Sequence, residues 1–154
     1  NRRDNFKMKP LIECVKVWLK DCPNLSKIDI RTDFLKPDNS GNDYFSLEQS
    51  KTPSPFKKNV LGTKIFGNLD FNLAGCFSFG LNEDKIQNDN LLFMQEIEIW
   101  ILEQARKHNY PKLNDNEIVT GLEITSSPFL YGLDKNMNYS RYDMSLKIKY
   151  ERKI

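Results

Sequence analysis

The chain has a single histidine, His108, among its 154 residues. Within one chain that excludes sites needing two histidines, such as the His-Glu-x-x-His metal pattern. Cysteine is also scarce: Cys14, Cys22 and Cys76 are the only three, and none belongs to a Cys-x-x-Cys pair. The odd count and the spacing read as reduced, packed thiols of a cytoplasmic protein. On one helix, Cys14 and Cys22 would stand about 80° apart around the axis and roughly 12 Å along it, too far for a mutual disulfide. No apolar run approaches the roughly 18 residues that a membrane span requires. Asn1 to Lys7 has no apolar stretch, so it is not a secretory signal. An excess of one charge is missing too. Lys plus Arg is 23 and Asp plus Glu is 21, a net charge of +2, which provides no bulk electrostatic attraction for nucleic acid or an acidic partner.

What remains is a soluble globular composition, 39% hydrophobic and 29% charged, long enough to bury roughly two-thirds of its unfolded surface without a disulfide or metal. We read 1–154 as one domain. The first residue is Asn, so either the start lies upstream, or Met8 is the usual start and 1–8 are an N-terminal extension.

The first element is a helix from Pro10 to Asp21. Leu11, Ile12, Val15, Leu19 and Cys22 form one apolar stripe with Trp18 alongside, and Cys22-Pro23 ends it. Ile28, Ile30, Thr32 and Phe34 then alternate with charged residues as a half-buried strand. Pro37 to Asn42 is a turn-rich loop, and Tyr44 to Glu48 a short strand. Ser50 to Lys58 holds Pro53 and Pro55, which oppose helix and central strand, so it reads as an extended, exposed, unpaired segment. Thr63 to Phe66 is a short strand and Gly67-Asn68 a hairpin turn. Beyond it, Phe71, Leu73, Phe77, Phe79 and Leu81 occupy one strand face, with Gly75 in register. Asn72, Ala74, Cys76, Ser78 and Gly80 take the other, and their small size implies close packing there.

Asn82 to Asn90 reads as a polar loop, with Asp89 or Asn90 capping a helix that runs to about Lys107. The apolar arc of that helix is broad, implying cover by the sheet on one side and by another subunit on the other. Glu117 to Thr125 is a strand with Ile118, Leu122 and Ile124 on one face, and Ser126 to Asn138 a loop. Tyr142, Met144, Leu146, Ile148 and Tyr150 alternate with polar residues as an antiparallel strand with one wet face. The predicted fold is α+β: a two-layer sandwich with an antiparallel or mixed sheet of about five to six strands and two helices packed on one face.

No catalytic, cofactor-binding or metal-binding residue set emerges, and the chain does not read as an enzyme. Gly62-x4-Gly67 has the spacing of a phosphate loop's start but lacks the following Lys and Ser or Thr. His108 lies at a helix end with no nucleophile adjacent in sequence. Glu96, Glu98 and Glu103 lack the His partners of a metal-binding bundle. The segments that stand out are contact candidates: Lys51, Pro53, Pro55, Phe56, Lys57 and Lys58 as an exposed arm, and Phe129, Leu130 and Tyr131 in the second loop. A second basic cluster, Arg2, Arg3, Lys7 and Lys9, lies at the N-terminus.

The order of local motifs resembles the small neck and tail-completion proteins of long-tailed bacteriophages of Gram-positive hosts, often labelled minor capsid proteins. The carriers are Met8-Lys9-Pro10-Leu11-Ile12, Cys22-Pro23-Asn24-Leu25, Tyr44-Phe45-Ser46-Leu47-Glu48 and the Phe-rich strand from Phe71. Trp100-Ile101-Leu102-Glu103-Gln104, the exit Lys107 to Leu113, Phe129-Leu130-Tyr131 and Arg141-Tyr142 complete them. The residues before Met8 and the Pro37 to Asn42 loop depart from the pattern. This family resembles tail terminators, which implies a ring, most simply a hexamer, that caps the tail tube and ends its polymerisation. The implied partners are further copies of the chain, the tail tube protein, the head–tail connector or stopper and, in a contractile tail, the sheath. DNA would pass through the lumen unread, no membrane would be involved, and the protein would belong to the virion neck after assembly in the host cytoplasm. A head-completion protein bound to the connector is the alternative within this class; a nucleic-acid-binding module using the basic arms is the alternative outside it.

Overall fold

The computed structural model describes residues 8–33, 43–51, 56–59, 61–78, 83–134 and 139–154. Phe34, the Pro37 to Asn42 loop, Pro53, Pro55, Phe79, Gly80 and Leu81 fall outside them, as do Arg2, Arg3 and Lys7. The order is α1 (Leu11–Leu19), β1 (Ile30–Thr32), β2 (Tyr44–Ser50), β3 (Phe56–Lys58), β4 (Lys64–Ser78), α2 (Glu83–Arg106), β5 (Glu117–Asp134) and β6 (Tyr139–Lys153). One six-stranded mixed sheet runs β1-β2-β4-β6-β5, with β3 beside β4. β1 and β2 are parallel and every other pair is antiparallel. The expected α+β architecture, with two helices on a mixed sheet, is what the chain forms.

The cross-strand register explains the layers. Opposed residues share a face, and Phe71↔Leu146, Leu73↔Met144 and Leu69↔Ile148 point to the same side. Phe45 and Leu47 from β2 and Val119 from β5 join them in one cluster. Onto it pack Ile12, Val15, Trp18 and Leu19 from α1 and Met94, Ile97 and Ile101 from α2. Pro10 occupies the N-cap of α1, where a missing N–H costs nothing. The Trp18 indole rests 4.9 Å from Trp100 between ring centroids and donates its N–H to the Asn109 carbonyl at 2.9 Å, so α1 is tied to α2 and its exit.

The structure corrects several local expectations. Gly67-Asn68 is not a turn: β4 runs unbroken through it for 15 residues. Gly67 lies opposite Tyr150, whose buried ring covers it; an added Cβ would sit 2.7 Å from the Tyr150 hydroxyl oxygen and nearer still to the ring. The glycine makes room for an aromatic, not for a bend. The turn lies earlier. The Asn59 side chain accepts hydrogen bonds from the Thr63 and Lys64 N–H groups, and Gly62 takes φ 68°, the left-handed conformation that costs glycine nothing. This turn joins β4 to β3, so Phe56–Lys58 is paired to β4 rather than unpaired.

The Asn82 to Asn90 loop is also overturned, for α2 begins at Glu83 and neither Asp89 nor Asn90 caps it. Its first turns lack an apolar stripe because a polar contact holds them: the Tyr142 hydroxyl donates to the Gln87 carbonyl at 3.1 Å. The helix ends in a Schellman arrangement. His108 is left-handed at φ 56°, its N–H bonds to Ala105 O at 3.1 Å, and the Asn109 N–H bonds to Gln104 O at 2.9 Å.

Ser126 to Asn138 is not a loop up to Asp134, because β5 stays paired to β6 over its whole length. Pro128 is tolerated since β5 is an edge strand and the register shifts between Ser126 and Phe129. Another shift between Val119 and Gly121 puts Ile118 on the face opposite Leu122 and Ile124. Ile118 is 63% exposed and Val119 only 5%.

Candidate interaction surface

The sheet face opposite the helices carries a polar network at its centre. Arg141 on β6 pairs with Asp143 at 2.8 Å and reaches Glu48 on β2 at 3.4 Å. Asp143 is buried and also accepts from the Asn72 amide at 3.0 Å, while Ser145 donates to Asn72. The expected wet face of β6 is thus closed over where it begins. The adjacent carboxylate of Asp143 holds the Arg141 guanidinium above its usual pKa. Tyr44, Cys76 and Tyr139 form a second, small buried cluster on this side, with the Arg31 guanidinium 4.3 Å above the Tyr44 ring. Burial raises the Tyr44 hydroxyl and the Cys76 thiol, its neighbour. Arg141, Asp143, Glu48, Asn72 and Ser145 satisfy one another and brace β2, β4 and β6, whereas the buried Tyr44 hydroxyl has no hydrogen-bond partner among the described residues.

On the helix side, a wide groove of about 1020 Å³ runs between α1, the α2–β5 connection and the start of β5. Its strongest polar groups are engaged in structure. Glu117 pairs with Arg152 at 2.6 Å and accepts from Asn114 at 2.8 Å, and the Trp18 N–H is taken by Asn109. His108 is exposed and lies against Tyr110, 5.7 Å between ring centroids. Among the described residues no group of three or more His, Cys, Asp or Glu is arranged to hold a metal ion. The three cysteines are buried and unpaired. No helix among the described residues is long and apolar enough to cross a membrane.

The apolar groups left in solvent are more informative. Phe129, Leu130 and Tyr131, anticipated from sequence, are 44%, 45% and 62% exposed on the edge strand β5, joined by Leu133. Tyr131 gives one ring face to Arg141, 4.2 Å from its guanidinium carbon. Lys51, Phe56, Lys57 and Lys58 are exposed as expected. The structure does not bring these two sets together: one lies near the β5 C-terminus and the other beside the N-terminal end of β4.

A third set is Leu92, Ile99 and Leu102, the outward stripe of α2. The breadth of the apolar arc signalled it, although which residues it leaves uncovered depends on how the helix is rotated over the sheet. Ile99 and Trp100 also floor a hollow of about 460 Å³ between α2 and the turn after α1, closed by Cys22, Pro23 and Asn24. The Asn24 amide holds that turn against α2 by donating to the Phe93 carbonyl at 3.2 Å.

No protein-family model and no curated protein matches the chain.

Proposed function

We propose that the chain is a structural subunit of a phage neck, a tail-terminator-like protein that assembles head to tail into a ring. The ring would cap the tail tube, end its growth and join it to the head connector by shape and interface matching, without a chemical step. The observation that carries this reading is the separation of exposed apolar groups into distinct sets: the β5 end, β3 with its neighbours, and the outer stripe of α2. Contiguous exposed apolar groups mark contact surfaces. A closed ring requires that two different patches of each subunit meet. The motif order set out above supports the neck over other ring-forming assemblies, and the near-neutral charge suits a lumen through which DNA passes unread.

Native mass spectrometry or light scattering over a range of concentrations tests it, alone and with the tail tube protein. A closed species of fixed mass, six subunits in the simplest case, that binds the end of tubes and stops their extension is the expected result. A chain that stays monomeric alone and on tubes, and leaves tube length unchanged, overturns the reading.

A further inference from the structure

The hollow on α2 and the strand β3 are complementary in apolar character and charge. The hollow has an apolar floor, Trp100 and Ile99, and Ile99 is 64% exposed. Two carboxylates flank it on the helix. Glu103 is engaged by Arg106 and Lys107, whereas Glu96, two turns earlier, is exposed and has no ion pair among the described residues. β3 presents the opposite character. Phe56 is 53% exposed, and Lys58, also exposed, extends from the same side of the strand because side chains alternate. Both the knob and the hollow are exposed, so they do not fill one another within a single copy.

We propose that β3 of one copy docks on the α2 hollow of the next, with Phe56 against Trp100 and Ile99 and with Lys58 facing Glu96. The occupant is a second copy because this chain itself supplies an aromatic with an adjacent cation and an aromatic-floored hollow with an adjacent carboxylate. Offset packing of the two aromatics and the charge pair beside them set the register of the joint. Knob and hollow are different patches, so each docked copy leaves one of each free, and growth continues until the ring closes. The inference rests on the ring reading and names its joint.

Two variants separate the halves of the joint. Phe56→Ala removes the knob and keeps the hollow; Glu96→Lys puts a like charge before Lys58 and keeps the knob. Both positions are solvent-exposed, and an unchanged circular dichroism spectrum establishes that each variant folds. Each alone is expected to weaken self-association at least tenfold, read by native mass spectrometry. Mixed, they are expected to form a 1:1 heterodimer and stop, since only one good joint remains. The charge exchange Lys58→Glu with Glu96→Lys is expected to restore assembly. Rings that form as in the wild type with either variant, or a mixture without the heterodimer, overturn this joint and leave the ring reading standing. A wild-type chain that never associates, alone or on tubes, overturns both.

Discussion

At the scale of single residues, glycines illustrate how one side chain's room is another's position. Gly67 and Gly75 lie within regular strand pairing, and each is covered by an aromatic. Tyr150 lies over Gly67, and Phe45 stands 2.8 Å from where a Gly75 Cβ would be. Tyr150 and Phe45 are both almost wholly buried, so neither ring can swing away to solvent. Gly67→Ala is therefore expected to cost about 2–3 kcal/mol through overpacking, lowering the melting temperature by roughly 4–12 °C in a chain of this size. Gly121→Ala serves as the control. Its Cβ would meet the Lys149 side chain at an ordinary 3.7 Å, so its melting temperature should stay near that of the wild type. An equal loss in both variants, measured by thermal denaturation, would contradict a specific role for the Tyr150 contact.

At the scale of elements, β5 shows what an edge strand permits. It carries a proline and four register irregularities while remaining paired to β6 for its full length. Such irregularities disrupt a ladder locally and re-aim side chains. The shift after Val119 reverses the inside–outside order of its first residues. Ile118→Lys should change unfolding free energy by no more than about 0.5 kcal/mol, as for other exposed positions. Val119→Lys should cost at least about 2 kcal/mol by placing an ammonium in the core. Urea denaturation of the two variants distinguishes this register from regular alternation, which predicts the reverse order.

At the scale of the whole molecule, burial of weak acids makes stability depend on alkaline pH. Burial raises the thiol pKa of Cys14, Cys22 and Cys76, and likewise the phenols of Tyr44, Tyr142 and Tyr150. A raised acid holds its proton longer in the folded chain than in the unfolded one. Stability from this source is complete below the unfolded pKa values, about 8.5 for thiols and 10 for phenols. It is lost as pH climbs through the raised, folded values. We expect the urea midpoint to fall progressively from about pH 8.5 upward. The thiols should resist a thiol reagent at pH 8 in the native state and react once the chain is denatured, because the thiolate is the reactive form. A midpoint constant to pH 10.5, or fast labelling of the native protein, would contradict these burial effects. The described residues form a two-layer body whose open sheet face is braced by the Arg141 network.

Much of this fold was legible in the residues themselves. The alternation in Tyr142 to Tyr150 and Phe71 to Phe77, and the stripe on α1, mark which side chains face the core. Burial on one face imposes a period on the sequence wherever the backbone is regular. The sheet with two helices on one side could be expected from the same pattern. Phe56, Lys57, Lys58, Phe129, Leu130 and Tyr131 stood out because proline and glycine marked their segments as loops, and they are exposed although both segments are paired strands. Tertiary structure alone decided the rest. Gly67 reads as a turn until Tyr150, far along the chain, is placed across from it. The first turns of α2 read as loop until Tyr142 reaches Gln87. Ile118 reads as core until the irregular pairing of β5 with β6 turns it outward, and the hollow on α2 forms where the turn after α1, held in part by Asn24, meets the helix. In each case the deciding energy comes from a contact across strands or layers, and local periodicity holds no record of such a partner.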